Sequence, residues 1–257
     1  MLQKIKFSLS ILCLIIISTS CTRPDAEPES QSPMRLVSWI ATGVTYVYSY
    51  DADGRLSKVS YVHAGKSFGE ERYTYAEGKI SQIKVMDLDG TFKLAIQQNY
   101  TWLSATELRC KETFYKSLSA VPLDVIYTID PLSGQVQKEI HYIGDGTEIS
   151  WSYIYTRDIR GNIIKTKRER YDKGQIMLTS VTEYSFDDHP NPQYKMPSSV
   201  YFVDNSNPNN CISQKSQQDQ NEPQFVRIDY EYNQQGYPTK KMYLNNSLVS
   251  TYHYESH

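Results

Sequence analysis

The sequence has few of the residues from which metal centres and catalytic sites are built. Its 257 residues include 4 cysteines and 5 histidines, and none of them stands in a Cys-x-x-Cys or His-Glu-x-x-His spacing. It also lacks a Gly-x-Ser-x-Gly nucleophile motif and a glycine run that could cradle a phosphate. We therefore predict no metal, no cofactor, no catalytic residues and no enzymatic activity.

Basic charge is not concentrated in any part of the chain. The formal net charge is −2, and charged residues make up 22% of the sequence against 39% hydrophobic residues. This balance is ordinary for a folded globular chain and excludes global disorder. Because no basic stripe is present, we predict no nucleic-acid partner.

A helical hydrophobic period of useful length is absent after the N-terminal segment. Short alternating runs separated by turn signals take its place, and nearly all connectors are too short for a parallel crossover. The sequence therefore predicts an all-β protein, an antiparallel meander of about sixteen strands. The predicted strands are about 35–40, 44–50, 55–62, 71–75, 79–86, 91–101, 106–116, 124–130, 135–143, 147–156, 162–170, 175–186, 198–203, 224–232, 237–244 and 248–255.

One hairpin pattern recurs along these strands. In its clearest copy Tyr230 and Tyr232 lead into Asn233, which can bond its own turn, and Gly236 can take the positive φ that closes the hairpin. Other copies open their turns at positions 51, 76, 130, 158 and 187, with a degenerate copy at 100–103, and the copy at 155–161 lacks the second tyrosine. A spacing near 27 residues indicates one repeated hairpin unit.

The predicted meander cannot stay flat and open. Sixteen strands would leave two faces and two edges exposed, so we expect the sheet to curl into a barrel or shell with a wide lumen. In the run 162–170, Ile163, Lys165 and Lys167 share one face and Arg168 lies on the other. A lipid-facing charge near the membrane midplane costs roughly 2–4 kcal/mol. We therefore predict a barrel or shell that stands in water.

One connector is much longer than the others. Residues 204–223 form a long polar stretch with no strand pattern. Loops of this length are usually functional or disordered, and we favour disorder here.

The N-terminal residues have the features of a secretory signal. Lys4 and Lys6 precede an apolar stretch too short to span a membrane, and small residues at 18–20 precede Cys21. That exit resembles the lipobox of bacterial lipoproteins, so we predict a signal peptide at 1–20, acylation of Cys21, a flexible tether at 21–34 and a single β domain at 35–257. The predicted location is the outer membrane, facing the periplasm or the cell surface, with the lipid as the membrane contact. An ordinary secreted protein with a free cysteine at this position is the alternative.

The cysteines that remain after processing are Cys110 and Cys211. A disulfide between them is allowed in a secreted protein, and closing such a loop stabilises by about 4–5 kcal/mol in the chain-entropy model. Since Cys110 lies on a predicted strand and Cys211 in the polar stretch 204–223, nothing in the sequence brings them together. We therefore favour two separate thiols over a disulfide.

Aromatic residues are abundant, with 22 tyrosines and 3 tryptophans. Trp39, Trp102 and Trp151 are the candidates for stacking on a sugar ring. A structural role for the aromatic residues is favoured over sugar binding. Tyrosine favours strands, pairs across them and covers a partly solvated sheet surface.

The motif Tyr-x-Tyr-[Asp/Asn]-x-x-Gly is similar to the YD-type repeat. The segments 184–192 and 230–239 resemble an uncharacterised family of lipoproteins from Bacteroides-like bacteria. The resemblance implies a porin-like β-barrel on a lipid anchor, with no established activity. We therefore predict a non-catalytic envelope protein with a binding or structural role and a glycan or envelope-protein partner. The alternative is a glycan-binding surface lipoprotein of a polysaccharide uptake system.

Overall fold

The computed structural model of the chain describes residues 34–87, 93–115, 122–144, 146–197, 206–244 and 248–256. The predicted signal peptide, Cys21 and nearly all of the tether lie outside these ranges, as does the predicted strand 198–203. Within the described residues no helix is both long enough and apolar enough to cross a membrane.

Sixteen antiparallel strands form one closed barrel, in which each strand pairs with its chain neighbours and the first strand pairs with the last. This confirms the predicted fold class. The strands are β1 (Met34–Ala41), β2 (Val44–Tyr50), β3 (Leu56–His63), β4 (Lys66–Ala76), β5 (Lys79–Met86), β6 (Leu94–Trp102), β7 (Glu107–Phe114), β8 (Leu123–Ile129), β9 (Val136–Ile143), β10 (Glu148–Arg157), β11 (Ile163–Asp172), β12 (Gln175–Pro190), β13 (Asn209–Gln218), β14 (Gln224–Tyr232), β15 (Pro238–Tyr243) and β16 (Leu248–Ser256).

The inner face of the barrel is rich in tyrosine, and on strands β3 to β8 it is mainly apolar. Directly opposed residues point to the same face, so the row that joins Trp39, Tyr46 and Tyr61 across β1, β2 and β3 lies on one side of the wall. The buried cluster on this side consists of Leu56, Val59, Tyr73, Ile83, Tyr100, Leu108, Cys110, Val125, Tyr127 and Ile129. These side chains form the hydrophobic core, and their burial stabilises the closed sheet.

The outer face carries charges at the middle of the strands. Arg72 of β4 is opposed by Lys58 of β3 and by Lys84 of β5, which places three cations in one outward row. Other outward charges follow from the pairing in the same way: Lys111, Lys138, Lys167, Lys215 and Lys240. Lipid contact at such positions would cost roughly 2–4 kcal/mol for each cation near the midplane. The wall therefore has the polarity of a barrel surrounded by water.

The predicted hairpin turns that open at 51, 76, 130, 158 and 233 are confirmed and lie at one end of the barrel, called here the repeat end. The turn predicted at 187 is wrong, because β12 continues to Pro190. Asn233 Oδ1 accepts hydrogen bonds from Gln235 N at 3.0 Å and from Tyr237 N at 2.9 Å. Gly236 has a φ of 81°, which closes the turn without the steric penalty that a side chain would bring. Asp51 Oδ1 accepts equivalent bonds in its own turn. The other end of the barrel, called the opposite end, carries the alternate hairpins.

The second tyrosine of the repeat ties neighbouring strands together. Tyr75 Oη donates to the Leu56 carbonyl at 2.8 Å, and Tyr50 Oη donates to the Leu36 carbonyl at 2.7 Å. Each of these tyrosines lies at a register shift just before its turn. The hydroxyl satisfies a carbonyl that the shifted ladder leaves without its regular partner.

The disorder predicted for residues 204–223 is wrong for the described residues 206–223, because Asn209–Gln218 form strand β13 between β12 and β14. Residues 204 and 205 lie outside the described residues. Its inward side chains include Gln214 and Ser216, and Ser216 Oγ lies 3.1 Å from Thr182 Oγ1 of β12. Hydrogen bonds between polar side chains replace apolar packing on this part of the inner wall. A strand of this kind shows no apolar alternation in its sequence.

A second correction concerns Ile163. It was assigned to the face of Lys165 and Lys167, but a register shift in β11 places it opposite Arg157, on the inner face. Its side chain is 1% exposed. The extra residue of a bulge reverses the alternation on one side of it, which the residue spacing alone does not reveal.

Candidate binding cleft at the repeat end

A short segment lies against the inner wall at the repeat end of the barrel. Residues 191–197, the plug segment, follow β12 and lie against the inner wall. Gln193 Nε2 donates to Tyr48 Oη at 3.2 Å, and Met196 packs against the buried cluster. Asn191 Nδ2 donates to the Asn207 carbonyl at 2.9 Å, which holds the start of the segment. The sequence predicted only a hairpin turn that opens at 187 in this part of the chain.

Arg157 occupies the place of the tyrosine that is missing from the fifth turn. Its Nη2 donates to the Val136 carbonyl at 3.1 Å, as Tyr75 donates to Leu56 in another repeat. Its Nη1 also donates to the carbonyls of Gly161 at 2.7 Å and Ser206 at 3.1 Å. Burial lowers the pKa of the Arg157 guanidinium, and the nearby Asp158 offsets this only in part. A cation thus stands where the repeat has a neutral phenol.

The barrel wall opens beside Arg157. Pairing between β9 and β10 ends at Lys138 and Ile154, although both strands continue towards the repeat end. A cleft of about 760 Å³ lies at this gap. It is lined by the outward-facing residues Thr128, Lys138 and Ile154, by the inward-facing residues Tyr155 and Arg157, and by Asp130, Ser133, Gln135, Gln137, Asp158, Ile159, Arg160, Gly161 and Tyr194. The cleft therefore passes from the outside of the wall to its inner side.

A second cavity of about 450 Å³ lies behind the first, against the plug segment. The two cavities share Ser133, Gln135, Arg157 and Tyr194. Gln135 Nε2 donates to Tyr194 Oη at 3.4 Å, a long bond that spans the boundary between the two spaces. The two cavities are therefore adjacent and share part of their lining.

The cleft has the chemistry of a site for a polar organic ligand. Tyr194, Ile154 and Ile159 offer apolar surface, and Gln135 and Lys138 offer donors. Asp130 accepts hydrogen bonds from the backbone amides of Ser133 and Leu132, and these bonds hold the pKa of its carboxyl below the usual value. Asp130 is therefore an ionised acceptor at neutral pH. Such a mixture of aromatic, apolar and polar side chains is typical of ligand-binding clefts.

Two carboxylates of the inner wall, Glu71 and Glu139, serve as acceptors for tyrosine hydroxyls. Glu71 accepts hydrogen bonds from Tyr61 Oη and Tyr73 Oη. On β9, Glu139 accepts from Tyr155 Oη at 2.7 Å and lies 3.1 Å from His141 Nε2. Within the described residues no group of three His, Cys, Asp or Glu side chains could hold a metal ion.

Glu112 is the inner carboxylate for which the structure predicts a dependence of stability on pH. Burial raises the pKa of its carboxyl above the ordinary value of 4.5, although Gln98 donates a hydrogen bond to it. The folded state therefore binds this proton more tightly than the unfolded state, and stability falls as the pH rises through the raised pKa. We expect Glu112→Gln to be more stable than the wild type at pH 7.5 and to lose this advantage at pH 4, as measured by urea unfolding. An advantage that does not change with pH would contradict the assignment.

The three tryptophans are not brought together, since they lie on β1, β6 and β10. Trp39 stacks on Tyr46, with ring centroids 4.7 Å apart, and on Tyr252 at 6.3 Å. Trp102 is 37% exposed at the repeat end, with Lys79 Nζ 4.1 Å from its ring centroid. Trp39 thus takes part in internal packing, whereas stacking on a sugar stays a prediction for Trp102 and Trp151.

Cys110 and Cys211 are both buried and are not joined by a disulfide. Cys110 lies on β7 beside the Tyr100 hydroxyl, and burial raises the pKa of its thiol to about 12. Cys211 lies on β13, where its Sγ donates to the Ser213 carbonyl at 3.3 Å. The disulfide that the sequence allowed is not formed.

The buried thiols lead to a prediction about reactivity. A fragment of residues 22–257, which lacks Cys21, should react with no equivalents of a thiol reagent at pH 8 while folded, because the thiolate is the reactive form. After unfolding without reductant it should react with two. Cys110→Ser is the control and should reduce that number to one. No reaction after unfolding would show that the two sulfurs are bonded.

No protein-family model and no curated protein matches this chain. Among solved structures, the chain is similar to a porin-like protein from Bacteroides uniformis, with 12% identity and a TM-score of 0.53 over 88% of this chain and 98% of that chain. Similarity to a porin-like protein from Bacteroides vulgatus has 12% identity and a TM-score of 0.42 over 86% and 99% of the two chains. A Tc holotoxin pore from Photorhabdus luminescens matches 82% of this chain and 9% of its own, with 15% identity and a TM-score of 0.31.

The first of these similarities confirms the predicted porin-like fold. At 12% identity it shows the fold alone. The TM-scores of the other two are too low to support an inference.

Proposed function

We propose that the chain is a non-catalytic, lipid-anchored envelope protein whose barrel binds a ligand at the repeat end. The observation that supports this proposal most strongly is the outward row of Lys58, Arg72 and Lys84, which suits water and not lipid. A barrel of this polarity needs a separate membrane anchor, and the small residues before Cys21 supply one in the sequence. The proposed location is the outer membrane, facing the periplasm or the surface.

The relation to known repeats is part of the same proposal. The Asx turns at Asp51, Asp158 and Asn233 have matching hydrogen bonds, which supports kinship with the YD-type repeat. The lipobox-like exit before Cys21 supports membership in a lipoprotein family of Bacteroides-like bacteria.

Lipid attachment can be tested separately from folding. In a Gram-negative host fed a labelled fatty acid, the full-length chain should be labelled and should fractionate with the outer membrane. Cys21→Ser should lose the label, whereas Cys110→Ser should keep it. An unlabelled wild-type protein released into the medium would favour the ordinary secreted alternative.

Non-catalytic binding is supported by how the inner carboxylates are used. Glu71 and Glu139 are each engaged by tyrosine hydroxyls on their own part of the wall. Glu139 in addition lies 3.1 Å from His141 Nε2, so both carboxylates take part in the packing of the wall. Robust hydrolase activity in the purified protein would contradict this part of the proposal.

The alternative function, a glycan-binding surface lipoprotein of a polysaccharide uptake system, is favoured by the lining of the cleft. Tyr194 and Ile154 could pack on the apolar face of a sugar ring while Gln135 and Asp130 bond its hydroxyls. The expected result is retention on an affinity gel that contains the cognate polysaccharide, reduced about tenfold or more by Tyr194→Ala. Tyr115, which is 53% exposed and close to the opposite end, gives the matched control Tyr115→Ala. Equal retention of both variants, or none by the wild type across a glycan array, would remove this alternative.

A further inference from the structure

A second group of side chains lies on the inner wall, nearer the opposite end and apart from the cleft. Arg168 and Arg170 are next-but-one neighbours on β11, and the pairing places them opposite Tyr153 and Trp151 of β10. Trp151 in turn is opposed by His141 of β9, a member of the inner face. All five side chains therefore face the lumen.

Both guanidinium groups approach the same indole ring. Arg168 Cζ lies 3.7 Å from the centroid of the Trp151 ring, and Arg170 Cζ lies 5.7 Å from it. Arg168 Cζ is also 5.8 Å from the Tyr153 ring. Two like charges are thus held beside one aromatic ring, which stabilises each cation but does not neutralise it.

No carboxylate among the described residues forms an ion pair with either arginine. Glu169, which lies between them in sequence, points to the outer face and pairs with Lys167 Nζ at 2.6 Å. Glu139 is two strands away from Arg168, roughly 10 Å across the sheet, and is engaged by Tyr155 and His141. Arg168 Nε is in addition buried without a hydrogen-bond partner.

The two arginines, with no ion-pair partner and one unsatisfied donor, favour the binding of an anionic group. An unpaired buried donor on a charged group costs free energy that a ligand acceptor would recover. The planar fork of arginine matches a carboxylate or sulfate group with two parallel hydrogen bonds. Arg170 is exposed within the lumen and leaves a route for such a group to approach.

We infer that Arg168 and Arg170, backed by Trp151, form a binding site for the oxyanion group of a small ligand, a carboxylate or a sulfate, on the inner wall of the barrel. The site is distinct from the cleft at the repeat end, and it does not depend on the lipid anchor or on the ligand of the cleft. Trp151 is a built-in reporter, because an oxyanion that draws Arg168 away from the ring changes the surroundings of the indole.

The test uses the full-length protein in a mild non-ionic detergent at constant ionic strength. Sodium sulfate, sodium glucuronate and glucose are titrated while tryptophan fluorescence and the thermal midpoint Tm are measured. We expect a saturable fluorescence change and a rise in Tm with sulfate, with glucuronate or with both, and no change with glucose. Binding of glucuronate would assign the site to carboxylates such as acidic sugars, and binding of sulfate alone would assign it to sulfate groups.

Variants separate the site from a general charge effect. The double substitution Arg168→Gln/Arg170→Gln should weaken binding at least about tenfold. The matched control Arg72→Gln/Lys84→Gln, which removes two cations from the outer face, should leave binding unchanged. Trp151→Phe should lose the fluorescence change. The wild type showing no saturable response to either anion, or the two double variants binding equally well, would overturn the inference.

Discussion

Replacing Glu71 with leucine is expected to lower the free energy of unfolding by about 3–5 kcal/mol. The carboxylate of Glu71 is 5% exposed and accepts hydrogen bonds from Tyr61 Oη and Tyr73 Oη. Leucine would leave two buried hydroxyls without an acceptor, and each such group costs about 1–3 kcal/mol. Urea unfolding of the 22–257 fragment, followed by circular dichroism, measures the change.

An exposed glutamate of the outer face provides the control for Glu71. Glu231 lies on β14, where its side chain is 56% exposed and pairs with Lys240 Nζ at 2.9 Å. Glu231→Leu should therefore cost less than about 1 kcal/mol. A double-mutant cycle should show that Glu71→Leu costs much less when both Tyr61→Phe and Tyr73→Phe are present. Equal costs for Glu231→Leu and Glu71→Leu would mean that the inner network does not stabilise the barrel.

Replacing Asn162 with alanine is expected to cost about 2–4 kcal/mol and to loosen the repeat end. Asn162 is 0% exposed and joins the turn after β10 to the start of β13. Its Nδ2 donates to Asp158 Oδ2 and to Asn209 Oδ1, both at 3.0 Å, and its Oδ1 accepts from Asn209 N at 3.0 Å. Since β13 follows the plug segment, limited proteolysis should cut the variant faster between β12 and β13.

Asn99 is the matched control for Asn162. It lies on the outer face of β6, where its Oδ1 accepts from Gln82 Nε2 at 2.8 Å and from Gln97 Nε2 at 3.0 Å. Water can replace both bonds, so Asn99→Ala should cost less than about 1 kcal/mol and leave proteolysis unchanged. Rapid cleavage in both variants would show that the loss of Asn162 acts through global stability alone.

The architecture could be predicted from the sequence because each copy of the repeat contains residue types that specify a turn. The turns that open at Asp51, Asp130, Asp158 and Asn233 each have an Asx residue that bonds its own backbone and a glycine with positive φ, and both are recognisable from residue type. Closure of the sheet could be predicted because an open sheet of sixteen strands would leave two edge strands unpaired. The prediction that the outer wall faces water rests on charged residues such as Lys165 and Lys167, which lie on the outer face as expected.

The features that the sequence does not reveal depend on contacts between distant repeats. Strand β13 is polar on both faces, since Gln214 and Ser216 face a polar part of the lumen, and its position cannot be read from hydrophobicity. The role of Arg157 requires knowing that the Val136 carbonyl lies beside it, 21 residues earlier in the chain. The missing tyrosine at this turn was visible in the sequence, and it was the one signal that could have indicated the cleft.

The most direct test of the account is a cross-link across the seam between β1 and β16 in the absence of detergent. Ile40 and Thr251 are directly opposed on the outer face, and residues paired in this way have Cα atoms about 4.5–5.5 Å apart, within the range for a disulfide. The fragment 22–257 with Ile40→Cys and Thr251→Cys should form an intramolecular disulfide on mild oxidation in plain buffer, and the pair Ile40→Cys with Lys138→Cys should not. Failure of the first pair to cross-link in water, or cross-linking only when detergent is added, would contradict a closed barrel that folds in water.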